Sequence, residues 1–146
     1  IHMVGDMHCP GHVFYYGLKQ YEMKVYGEPL RFHGFLDKSF GRFNRGKKSD
    51  EFYDKYCRLT KEEIAAIQQG TLADWVTENT PIFKECYDLL SPTIDYKELT
   101  EQNKFRLKEI TDELRVEAGF RLAYTIFYSF SQRRNIFVQV RAQRNG

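Results

Sequence analysis

A chain of 146 residues that is 42% apolar and 16% aromatic, with 12 Phe and 10 Tyr, can bury one sizeable core, which excludes a disordered chain and leaves little room for a second domain. The net charge of +2 singles out no partner, and three cysteines (Cys9, Cys57, Cys86) without a CxxC pair argue against a secreted disulfide framework and for a reducing, cytoplasmic compartment. The densest apolar run, LAYTIFYSF, is too short to span a membrane, so no membrane partner is expected.

Ile1-His2-Met3 reads as a cloning remnant and start, the single domain is taken as residues 1–146, and His2 carries no functional argument. The N-terminal third has the period-two signal of strands. HVFYYGLK (12–19) is β-branched and aromatic. YEMKVY (21–26) sets Tyr21, Met23 and Val25 against Glu22 and Lys24. Gly-Glu-Pro at 27–29 breaks the run, and LRFHGF (30–35) sets Leu30 and Phe32 against Arg31 and His33. The short breaks predict a three-stranded meander.

The middle reads as helices. Asp50 can cap EFYDKYCRL, where Phe52 and Tyr56 share a face. Thr60-Lys-Glu-Glu63 is a capping box, with Gly70 at the expected stop. Thr80-Pro81 and Ser91-Pro92 each predict an N-cap followed by proline at the first helical position. Thr100 opens the longest helix, with an apolar stripe of Leu107, Ile110, Leu114 and Ala118 and a stop at Gly119. After it, Phe120, Leu122, Tyr124, Ile126, Tyr128 and Phe130 share one parity, as do Ile136, Val138, Val140 and Ala142, and polar SQRRN separates the two runs. That pattern predicts a hairpin. The expected fold class is α+β: an antiparallel sheet of about five strands, three N-terminal and two C-terminal, packed against a central helical segment.

His8-Cys9-Pro10-Gly11-His12 brings zinc-ligand residue types close together. A structural zinc needs four ligands, only His33, Cys57 and Cys86 remain to complete the set, and no second close pair is evident. Pro-Gly is also a turn signal, so the segment is read as a turn into the first strand, with no metal and no cofactor. Cys-Pro-Gly-His, with PLRF downstream, is similar to a local signature of threonyl-tRNA synthetases, which implies metal and substrate contacts; the chain is too short for such an enzyme and no residue is carried over. RFHGF is similar to the strand-borne His-Gly of ADP-ribosyltransferases, and FYY…VYG to the GIY-YIG nucleases. These similarities imply a small transferase or nuclease with His33 or a tyrosine in its site. Nucleotide, serine-hydrolase and zinc-protease motifs are missing, and no catalytic residue is assigned.

Charge is segmented: net +4 over 31–60, −5 over 61–100 and +4 over 101–146. In DKSFGRFNRGKK, Lys38, Arg42, Arg45, Lys47 and Lys48 alternate with Phe40 and Phe43. Such residues neutralise phosphates and stack bases, and Gly41 and Gly46 let the backbone approach closely. Arg133, Arg134, Arg141 and Arg144 form a second basic cluster at the C-terminal hairpin. The expected function is a small nucleic-acid-contacting module using Lys38, Arg42, Phe43, Arg45, Lys47, Lys48, Arg133, Arg134 and Arg141. The alternative is an inhibitor or adaptor that meets a protein partner, or a second copy, through exposed aromatics and the acidic helical face.

Overall fold

Leu107, Ile110 and Leu114 are almost wholly removed from solvent, as the stripe predicted, and the rest of the chain is built against them. The structure, a computed structural model, describes residues 2–13, 22–38, 53–54, 56, 58–90 and 95–143, with side chains only as far as 131. In chain order the elements are α1 (His2–Asp6), β1 (Glu22–Val25), β2 (Glu28–Arg31), α2 (Phe32–Asp37), α3 (Lys61–Gln68), α4 (Leu72–Leu89), a 3-10 turn (Tyr96–Glu98) and α5 (Glu101–Gln143). The core gathers Met23 and Val25 from β1, Phe32, Phe35 and Leu36 from α2, Phe83, Cys86 and Tyr87 from α4, and the α5 stripe. Among the described residues no helix is long and apolar enough to cross a membrane.

Among the described residues, which are 73% helical, the expected five-stranded sheet is replaced by a two-stranded antiparallel one. The middle strand is as predicted, with Met23 and Val25 buried and Glu22 and Lys24 exposed. Val25 pairs with Glu28, so the turn is Tyr26-Gly27, and both residues have positive φ (56° and 86°). That is the primed hairpin turn, which glycine accommodates and tyrosine does not favour. Asp95 offsets the strain: its carboxylate accepts from the N–H of Tyr26 (2.9 Å), Gly27 (2.6 Å) and Lys97 (3.0 Å). The third predicted strand ends at Arg31. Phe32, Phe35 and Leu36 are all buried, and that i, i+3, i+4 spacing makes 32–37 a helix. Most of HVFYYGLK lies outside the described residues, and His12 and Val13 lie in a turn region.

Thr60 and Glu63 form the expected capping box at α3, and Gly70 sits at φ 90° after it. Thr80-Pro81 does not begin a helix. Thr71 does, through a second capping box with Asp74, and α4 runs on through Pro81. Continuity wins because Trp75, Phe83, Cys86 and Tyr87 then share one buried face. Asp50, Ser91 and Pro92 lie outside the described residues.

The C-terminal hairpin is overturned. Residues 120–143 continue α5, which opens at Thr100 with its hydroxyl accepting from the Asn103 N–H (3.2 Å), passes Gly119 and spans 43 residues, about 65 Å. The reason lies in the buried stripe. After Leu107, Ile110, Thr111 and Leu114 its next member is Arg121, 1% exposed, so the helical period is kept but an arginine hides it. The even-numbered alternation corresponds to no buried face, since Tyr124, Tyr128 and Phe130 are exposed alongside odd-numbered Phe127. Thr125 and Ser129 donate to the carbonyls of Arg121 and Thr125, both at 2.8 Å, which suits a helix.

Arg121 joins every long helix to the chain's first segment. Its Nε donates to the carbonyl of Ile67 at the end of α3 (2.8 Å) and its Nη1 to Nε2 of His8 (2.9 Å). Its Nη2 pairs with Glu78 of α4, Glu117 lies 3.4 Å from Nη1, and the guanidinium stands 5.2 Å from the centre of the Trp75 ring. His8 in turn donates from Nδ1 to the Val4 carbonyl (2.7 Å), which leaves Nε2 as the acceptor that Arg121 uses. Arg121→Ala leaves the buried His8 imidazole and the Ile67 carbonyl without their donor and unpairs the mostly exposed Glu78, and is expected to cost on the order of 1–3 kcal/mol in urea unfolding, whereas Arg121→Met, which keeps the volume, is expected to cost less.

Asp95 generates a pH prediction. Burial pushes its carboxyl up, but the N–H groups of Lys97, Gly27 and Tyr26 and the charge of Lys97 together hold it below its ordinary 3.8. Its folded pKa lies below its unfolded one, so its contribution is complete above the unfolded value and is lost as pH falls through the folded one. Acid titration of stability in Asp95→Asn is expected to be flatter than in the parent below about pH 4.

Candidate metal centre

The HCPGH turn begins where α1 ends. The N–H groups of His8 and Cys9 donate to the carbonyls of Gly5 and Asp6 (both 3.1 Å), and the His12 N–H donates to the Cys9 carbonyl (2.9 Å). This closes a tight turn that puts Cys9 and His12 on the same side as α2. On α2, His33 and Asp37 are one turn apart, and they share the face opposite buried Phe32, Phe35 and Leu36. The core therefore fixes the helix while its outer face carries an imidazole and a carboxylate.

The two segments meet closely. His12 Nε2 lies 2.9 Å from His33 Nε2, and Asp37 lies 3.1 Å from the first through Oδ1 and 3.0 Å from the second through Oδ2. Cys9 Sγ is 3.8 Å from Asp37 Oδ1, and ligand atoms of Cys9, His12 and Asp37 all lie within 4.8 Å of one another. The imidazoles are edge-on, with centroids 4.3 Å apart at 86°. Gly11 makes the approach feasible, because a Cβ there would stand 3.0 Å from His33 Cα.

Hydrogen bonding alone accounts poorly for this triangle. Each Nε2 carries at most one proton, and a carboxylate only accepts. If both protons serve Asp37, the two nitrogens face each other at 2.9 Å without one between them. A cation between them would satisfy both nitrogens and the carboxylate together. Zinc binds nitrogen and oxygen at about 2.0–2.1 Å, which in a tetrahedron spaces neighbouring donors roughly 3.3 Å apart, within a few tenths of an ångström of the distances present.

The surroundings fit a metal. His12 Nδ1 lies 3.8 Å from the carboxylate of Asp6, longer than a hydrogen bond but on the side where an outer carboxylate partner of a metal-bound imidazole would stand. Burial pushes the Cys9 thiol up to about 11, while the backbone of Gly11 and His12 hydrogen-bonds to sulfur and favours thiolate. A bound ion deprotonates such a thiol outright. The His12, His33 and Asp37 side chains remain 27%, 41% and 43% exposed, so an ion here is reachable from solvent.

The sequence-predicted residues fall elsewhere. Lys38 is exposed at the end of α2, next to Asp37. Arg42, Phe43, Arg45, Lys47 and Lys48 lie outside the described residues. Arg133, Arg134 and Arg141 belong to the backbone of α5 and not to a hairpin. Of the residues that could complete a zinc set, which the sequence argued against, His33 meets His12, Cys57 lies outside the described residues, and Cys86 is buried in the core with its thiol pushed up by desolvation. His8 turns inward to Arg121. Asp37 is a carboxylate and so stands outside the His and Cys residues in which the zinc pattern was sought. Comparison with protein-family models, curated proteins and solved structures finds no match.

Gly11→Ala is expected to separate the two imidazoles, read as disappearance of the nuclear Overhauser effect between the His12 and His33 ring protons. The helical circular dichroism should be unchanged, since the core is not touched.

Proposed function

We propose that this protein binds one divalent transition-metal ion, zinc by preference, through His12, His33, Asp37 and Cys9. The observation that carries this reading is the meeting of two imidazole Nε2 atoms and a carboxylate within 3.1 Å of one another. Imidazole and thiolate favour zinc or its neighbours over magnesium or calcium. Four protein ligands complete a tetrahedral shell, as in structural zinc sites.

The test is a titration of chelator-treated protein with Co²⁺ and Zn²⁺. One equivalent of Co²⁺ is expected to give the visible bands of a tetrahedral site and a thiolate charge-transfer band, the latter abolished in Cys9→Ser. Asp6→Asn should weaken zinc about 10–100-fold as an outer-partner change, and His33→Ala or Asp37→Asn should weaken it more. Absence of stoichiometric binding by calorimetry would remove the proposal.

Contact with nucleic acid is a second reading. It is favoured by the position of ligand Asp37 directly before Lys38 and the basic 38–48 segment, and by Tyr124, Phe127, Tyr128 and Phe130, exposed ahead of the C-terminal arginines. Affinity for a single-stranded oligonucleotide should then fall with salt, and reversing Arg42 and Arg45 to Glu should flatten the slope by about 0.7 for each phosphate that is no longer neutralised.

A further inference from the structure

A half-open pocket of about 160 Å³ lies behind Cys9, bounded by Gly5 of α1, the HCPGH turn, the end of α2 and the middle of α5. Pro10, Leu36, Leu114 and Ala118 give it hydrocarbon walls, and Thr111 and Arg115 are polar members of the lining. The Thr111 hydroxyl proton goes to the Lys108 carbonyl (3.1 Å) and both His8 nitrogens have partners, so the positive charge in the lining is that of Arg115.

Arg115 sets the sign of the site. A guanidinium is not neutralised in proteins. Burial works against its charge here and Asp112 supports it. Asp112 is itself buried and also engages Lys108, so one interior carboxylate serves two cations. No carboxylate lines the cavity among the described residues. A ligand entering it meets positive charge at one end and hydrocarbon along its length.

We propose that this cavity is a subsite for a small carboxylate with a short hydrocarbon tail, the head paired with Arg115 and the tail against Leu36, Leu114 and Ala118. A single planar guanidinium matches a carboxylate in charge and in fork geometry, whereas a phosphate dianion calls for more positive charge. A cavity of about 150 Å³ is enough for a benzene-sized molecule, which bounds the tail at a few carbons. Cys9 lines the cavity while its sulfur faces the metal centre, so subsite and centre share a wall. The inference stands on the cavity and Arg115 and does not depend on metal binding.

The experiment uses the full chain, with butyrate as the probe and butyramide as its neutral counterpart, followed by ligand-observed nuclear magnetic resonance and calorimetry. Butyrate is expected to bind at least about tenfold more tightly than butyramide, as the loss of a charge-assisted bond implies. Arg115→Gln and Ala118→Leu, which fills the cavity with a good helix former, should each weaken butyrate about tenfold or more. Asp37→Asn, which removes a metal ligand, should leave it unchanged. Equal binding of the two probes overturns the proposal, and so does undiminished binding to Ala118→Leu. Loss in Asp37→Asn with retention in Ala118→Leu places the carboxylate on the ion, which overturns the subsite and leaves the metal reading standing. If Arg115→Gln does not fold, Ala118→Leu decides the matter.

Discussion

The fold depends on one buried cation. Arg121 occupies a position that the α5 stripe would otherwise give to a leucine, and it uses its fork to hold a carbonyl from α3, a carboxylate from α4 and the imidazole at the end of the first segment. A hydrophobic side chain there would pack against the same helices without choosing among their rotations. The guanidinium has directional partners, so each helix has one orientation that satisfies it. Trp75, lying across its face, excludes water and makes those partners matter more. Neighbouring His8 is thereby committed inward, and its burial, the main influence, keeps it below the ordinary imidazole range.

That commitment shapes the outer site. His8 and Cys9 are consecutive, one facing α5 and the other α2, so fixing the first aims the second. On the opposite side, three apolar residues of α2 anchor a helix of six residues that would not persist alone. The His/Cys/Asp cluster thus rests on two short pieces of chain, each held by the core from behind, with Gly11 where the turn comes close to the backbone of His33.

Local chemistry was legible wherever it was self-contained. The Thr60 capping box, the helix opening at Thr100, and the Met23–Val25 alternation each rest on residues a few positions apart, and each is present. What escaped depended on distant partners. Alternation from Phe120 to Phe130 imitates a strand, but α5 was already determined by Arg121, whose role exists only once α3 and α4 are in place. The His/Cys/Asp cluster was not legible as a site, since its first half reads as a turn without metal. Cys9 and His12 stood out, whereas placing His33 on a strand put Asp37 about 13 Å along the chain from it. On a helix the same four-residue step is about 6 Å, and His33 and Asp37 come into contact. One misread period therefore concealed both an element and half of a site.

Arg121 is the twenty-first residue of a helix of 43, and none of residues 122–131 is buried. The helix is therefore clamped at its midpoint, and the stretch that follows takes its azimuth from the clamp. Successive residues turn by about 100°, so the direction in which Tyr124, Phe127 and Phe130 point is a matter of angular phase counted from Arg121. A single residue inserted between the clamp and that stretch would redirect the aromatic face by more than a quarter of a turn while leaving the packing of the core as it is.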